Sequence, residues 1–90
     1  PSPSFLRAGD TGKVSFPGAN LAKVDTVFFD GQVLSTCGNT PTSGCRYNSE
    51  AASLEITIPT TVTRLPGRKE FTAVVAGKVV TQLSIEVTRR

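Results

Sequence analysis

The run from Phe16-Pro-Gly-Ala-Asn-Leu21 into Val27-Phe-Phe-Asp-Gly31 most constrains what this chain can fold into. Pro17 closes a first strand, because it removes a ladder donor. A Gly/Asn corner turns the chain, a second strand follows, and Asp30-Gly31 supplies a strong hairpin-turn signal. Further on, Leu54-Glu-Ile-Thr-Ile-Pro59 alternates apolar and polar residues as a half-buried strand does. Short β segments split by turn formers every ten residues or so point to a small antiparallel sandwich.

The chain has 90 residues, room for one domain and one compact core. Val, Ile, Leu and Phe recur throughout, so it is not a disordered tail. No apolar run approaches the roughly 18 residues that a membrane span needs, and no membrane insertion is expected. The N-terminus lacks the charged start and apolar middle of a leader peptide. Pro1-Ser-Pro-Ser4 instead resembles the end of an interdomain linker, since Pro stiffens and Ser solvates such a segment. The expected organisation is a linker remnant at 1–3, one domain at 4–88 and a tail at 89–90, cut from a longer protein.

Strands are expected at 4–7, 13–16, 24–29, 32–35, 53–58, 70–76 and 79–88. Phe5, Val14 and Phe16 would face the core. So would Val27 and Phe29, leaving Phe28 on the opposite face. Leu54, Ile56 and Ile58 alternate with Glu55 and Thr57. Phe71, Ala73 and Val75 share one face, as do Leu83, Ile85 and Val87. Gly77-Lys78 would form a two-residue hairpin turn. The connection at 60–69 is polar, with Leu65 as its anchor. No window supports a helix, because β-branched residues dominate the apolar positions. About seven strands joined by short turns give an all-β, immunoglobulin-like antiparallel β-sandwich. A buried Trp and a long-range Cys pair are missing, so this is not an antibody-type domain; a small open barrel is the alternative.

Cys37 and Cys45 are the only cysteines. Gly-Asn-Thr-Pro-Thr-Ser-Gly separates them, a run of turn formers that can bring its ends together. A Cys37–Cys45 disulfide is expected, at the base of a loop projecting over 36–48. Two cysteines without histidine do not complete a tetrahedral zinc site in one chain, and the spacing is not Cys-x-x-Cys. A disulfide would place the chain in an oxidising compartment: extracellular, periplasmic or a virion surface.

In order and spacing these segments resemble the IPT/TIG family of immunoglobulin-like domains over roughly residues 4–88. The family shows a Gly-rich turn, a strand, a Gly-x-Asn-Leu corner and a Val-x-Phe-x-Gly strand. Here these are Gly9 with Gly12, Val14 with Phe16, Gly18-Ala-Asn20-Leu21 and Val27-Phe-Phe-Asp-Gly31. Ile56-Thr-Ile-Pro59 is similar to its Ile/Val-x-Val-Pro strand, and residues 71–79 to its Gly-tipped hairpin. The resemblance implies a non-catalytic spacer or interaction module, of the kind found in receptors, bacterial surface proteins, phage structural proteins and polysaccharide-acting enzymes. The cysteine loop and the 60–69 connection look like insertions on that pattern.

With no histidine, the commonest general base and metal ligand is absent, and a Ser–His–Asp arrangement cannot form within the chain. Glu55, Glu70 and Glu86 fall on separate strands facing solvent, unlike a carboxylate pair across a cleft. No Ca²⁺ loop motif and no phosphate-binding Gly loop precede a helix. No enzyme activity, cofactor or metal is therefore expected. A net charge of +3 is too small to argue for nucleic acid. Variable loops on a rigid sandwich carry contacts, so Arg46 and Tyr47 beside the cysteine loop, and Arg64, Arg68 and Lys69, are the candidate partner-binding residues. The expected partner is a protein or a neighbouring domain. The alternative is a glycan, with the domain as a carbohydrate-binding accessory module; the lack of Trp counts against an aromatic platform.

Overall fold

The computed structural model describes residues 3–38 and 44–89. Pro1 and Ser2 of the expected linker, residues 39–43 of the cysteine loop and Arg90 of the tail lie outside them. The described residues form a two-sheet, all-β sandwich. Eight strands occur: β1 Phe5–Arg7, β2 Gly12–Pro17, β3 Thr26–Phe29, β4 Gln32–Thr36, β5 Cys45–Asn48, β6 Ser53–Ile58, β7 Gly67–Val75 and β8 Lys78–Thr88. One sheet has the order β1-β8-β7-β3-β4 and the other β2-β6-β5. This division, with β2, β6 and β5 facing β3, β7 and β8, is that of an immunoglobulin-like sandwich.

The core follows the predicted alternation. Val14, Phe16, Val27, Leu54, Ile56, Ile58, Phe71, Ala73 and Ile85 meet between the sheets. Phe29 and Phe71, paired across β3 and β7, bring their rings to 5.3 Å. The Gly18 corner becomes a single 3-10 turn that buries Leu21.

Several expectations need correction. The architecture is not wholly antiparallel, because β1 pairs with β8 in parallel. The turn after β1 carries the chain across to the other sheet at the end where β8 finishes, so the two strands run the same way. That register sets Leu6 opposite Val87 and turns Leu6 inward, leaving Phe5 47% exposed rather than in the core. The eighth strand, β5, lies inside the expected loop; Cys45 and Tyr47 alternate with Arg46 and Asn48 against β6.

The 60–69 connection holds one helical turn, α1 Thr60–Thr63, started by Pro59, and β7 begins as early as Gly67. Val62 is its buried anchor, while Leu65 is 65% exposed. Thr63 is also buried; its hydroxyl donates to the Asp10 carbonyl at 2.6 Å, and its own carbonyl accepts from the Gly9 N–H at 2.8 Å. These bonds tie the β1–β2 turn to α1. The last hairpin turns at Ala76-Gly77, one residue earlier than expected. Both residues have positive φ, 50° and 81°, as a type I′ turn requires. A register shift opposite Ala73/Val74 leaves Val80 as an extra residue on β8, which moves the turn.

Candidate functional site

The topology sorts the candidate residues onto opposite ends of the sandwich. At one end lie the turn between β1 and β2, the Asp30-Gly31 turn, α1 with its flanks, and the end of β8. Arg64, Arg68 and Lys69 sit there. At the other end lie the β2–β3 corner, the cysteine loop, the β5–β6 turn and the Ala76-Gly77 turn. Arg46 and Tyr47 belong to β5, whose start adjoins that second end. The structure therefore does not gather the five residues into one surface.

At the cysteine end, a disulfide links Cys37 to Cys45. Its position is more informative than the sequence suggests. Cys37 follows β4, the edge of the five-stranded sheet, and Cys45 opens β5, an edge of the three-stranded sheet. The bond therefore fastens the two sheets to each other along one side. Backbone bonds continue both ladders up to it. The Cys37 N–H donates to the Asp25 carbonyl at 2.8 Å, the Gly38 N–H to the Cys45 carbonyl at 2.9 Å, and the Thr57 N–H to the Gly44 carbonyl at 2.8 Å. Cys45 is fully buried among core residues.

Beside it, Arg46 is exposed on the outer face, directly across from Glu55. Tyr47 takes the inward phase opposite Leu54 and packs partly buried against the core. Its ring thus supports the β5 edge, in place of the exposed position expected of it. Asn48 closes the strand, its Oδ1 accepting from the N–H groups of Glu50 at 3.1 Å and Ala51 at 3.3 Å. This side-chain mimic of a turn fixes the corner that returns the chain into β6.

The α1 end is more open. Two shallow concavities flank the Asp30-Gly31 turn. One, of about 370 Å³, is lined by Phe29, Asp30, Gln32, Leu34, Pro59 and Thr61, among others. The second, of about 460 Å³, has Asp30, Arg68, Lys69, Glu70, Thr72 and Gln82 around it. It exists because β7 outruns β3: Phe29 pairs with Phe71, and residues 67–70 continue past the end of β3. Arg68 and Lys69 fall on this overhang. Arg68 Nε lies 3.6 Å from Glu70 Oε1, with both side chains largely exposed, and Glu86 is its cross-strand neighbour. Its charge is locally balanced, and such an exposed pair contributes little to stability. Lys69 is half-buried and Arg64 exposed.

The charges at this end are mixed: Arg7, Arg64, Arg68, Lys69 and Arg89 stand with Asp10, Asp30, Glu70 and Glu86. That is not the single-signed stripe used to follow a phosphate backbone. Among the described residues, no group of three or more His, Cys, Asp or Glu is placed to hold a metal ion. Among the same residues, no helix is long and apolar enough to cross a membrane.

Sequence reasoning does not single out Asp30, Gln32, Thr72 or Gln82 as site residues. Asp30 reads as a turn former, and the others as outward positions of ordinary strands. The signal available is the mismatch in length between the β3 and β7 segments. Comparison with known proteins adds no assignment: no protein-family profile matches the chain, and no curated protein and no solved structure gives a significant match.

Proposed function

We propose that the domain is a non-catalytic interaction and structural module of a larger surface-exposed protein of bacterial, phage or receptor type. It contacts a protein partner, or a neighbouring domain of its own chain, through the loops at the α1 end and through sheet edges. The observation that carries this reading is the pairing of a clamped frame with an open, polar end. One side of the sandwich is fastened sheet to sheet by the disulfide. The α1 end offers two concavities rimmed by hydrogen-bonding and charged side chains. A rigid scaffold that presents polar loops is suited to recognition, because little freedom is lost on binding. The disulfide also favours an oxidising compartment. Kinship with the IPT/TIG family belongs to the same reading. It rests on Gly18, Asn20, Leu21, Phe29 and Gly31, and is supported by their grouping at the β2–β3 and β3–β4 connections.

The test compares the domain with a variant carrying Arg64→Glu and Lys69→Glu. Both are applied to surface proteins of the source and, separately, to a panel of immobilised oligosaccharides. The reading expects saturable binding to one protein, weakened at least tenfold by the double charge reversal. Binding to oligosaccharides alone would replace the protein-interaction reading with the carbohydrate-binding one.

A further inference from the structure

We infer that the free edge of β8 is a self-association surface, which pairs two copies of this chain antiparallel about a two-fold axis. The inference deepens the interaction-module reading by naming one partner and one edge. β8 runs for 11 residues, but β1 covers only Glu86, Val87 and Thr88 of it. From Lys78 to Ile85 the strand has β7 on one side and, among the described residues, no strand on the other. β1 does not extend to cover this stretch. The chain bends at Pro3 and Ser4, and Pro3 has no N–H to offer a ladder.

The uncovered sequence is Val79-Val-Thr-Gln-Leu-Ser-Ile85, without charge, Pro or Gly. Folded proteins normally blunt such edges with charges, prolines, bulges or very short strands. The other edges here are blunted in those ways. β2 carries Lys13 and ends in Pro17. β5 has four residues, including Arg46, and is bound by the disulfide at its start. β4 faces a register shift at Val27/Phe28, and the disulfide follows its end. On β8 the extra residue Val80 lies near the start, and register with β7 is regular from Thr81 onward. A row of regular, unpaired backbone donors and acceptors therefore remains at 81–85.

Two exposed apolar side chains point to a second copy as the occupant. Val79 is 64% exposed and pairs with Val74 on the outer face. Phe5 is 47% exposed and lies beside Glu86, also on the outer face. They stand at opposite ends of the open stretch. An antiparallel partner related by a two-fold axis near Gln82 brings Val79 of each copy toward Phe5 of the other. Such an interface is isologous and closes on itself, joining two five-stranded sheets into one. An edge of this length buries less than the roughly 1,200 Å² of a standard interface, so weak, concentration-dependent pairing follows.

Sedimentation equilibrium of the 90-residue chain, from about 10 μM to about 1 mM, tests this on the range expected of weak pairing. The wild type should approach twice its monomer mass at the upper end. Gln82→Lys is exposed and sets two lysines near each other across the axis; it should weaken pairing at least tenfold without lowering the melting temperature. Phe5→Asp should do the same from the end of the edge. A wild type that stays monomeric throughout, or both variants associating as the wild type does, overturns the inference. A monomer that still binds a protein through Arg64 and Lys69 would leave the module reading intact and remove only the self-pairing.

Discussion

Removing the disulfide should destabilise the domain without abolishing the fold. The perturbation is the double substitution Cys37→Ala and Cys45→Ala. The two cysteines are eight residues apart in sequence. In the chain-entropy model, closing a loop of that length restricts the unfolded chain by an amount that contributes about 2.5 kcal/mol at 25 °C. Cys45 is fully buried, so losing its sulfur removes further apolar burial, about 1 kcal/mol. The expected loss is therefore about 3 kcal/mol. Against a total stability of about 5–15 kcal/mol this leaves a folded but weakened protein. For a domain of this size it corresponds to a fall in melting temperature of roughly 10–25 °C.

Urea unfolding, followed by far-UV circular dichroism, measures the quantity directly. The m-value should rise as well, because an uncrosslinked unfolded chain exposes more surface. The β spectrum without urea should persist, since the core residues lie on six strands independent of the bond. A loss under about 1 kcal/mol with an unchanged m-value would refute the sheet-to-sheet clasp. Collapse of the β spectrum would show instead that the sheets do not hold together without it.

Two further outcomes follow from local geometry. Ala76→Asn should stabilise the domain by about 0.5–1 kcal/mol, since Ala76 has φ 50° before Gly77 and Asn-Gly is the preferred pair for that turn; thermal unfolding reads the gain. Val62→Ala should cost about 2 kcal/mol, whereas Leu65→Ala should stay within about 0.5 kcal/mol, because only Val62 is buried; urea midpoints of the two variants separate them.

Much of the frame is legible in the order of residues alone. β2, β6 and the second half of β8 alternate cleanly, and each alternation has one buried face to satisfy. Asp30-Gly31 and the cysteine pair are local signals with local consequences. The features that escape a local reading depend on distant partners. The phase of β1 is set by Val87 across the sheet, whereas its three residues of local pattern favour Phe5 over Leu6. The helical turn Thr60–Thr63 is made of β-branched residues and persists because Val62 and Thr63 are buried against the frame.

The candidate site is legible mainly as residue types. Arg64, Arg68 and Lys69 do share one end, and the local pattern at Arg46 and Tyr47 marks a strand. The concavity beside Asp30 arises from the unequal lengths of β3 and β7, and the open edge from the shortness of β1. Each is a relation between strands that no single segment displays.

The central claim is that contacts concentrate at the α1 end while the rest of the frame is structural. Photo-crosslinking from single positions in the parent protein, on its native surface, tests it most directly. A photoreactive residue at Arg64 or Lys69 should give one discrete protein adduct, and the same residue at Lys23, at the cysteine end, should give none. Equal adducts from all three positions, or adducts from Lys23 alone, would contradict the account.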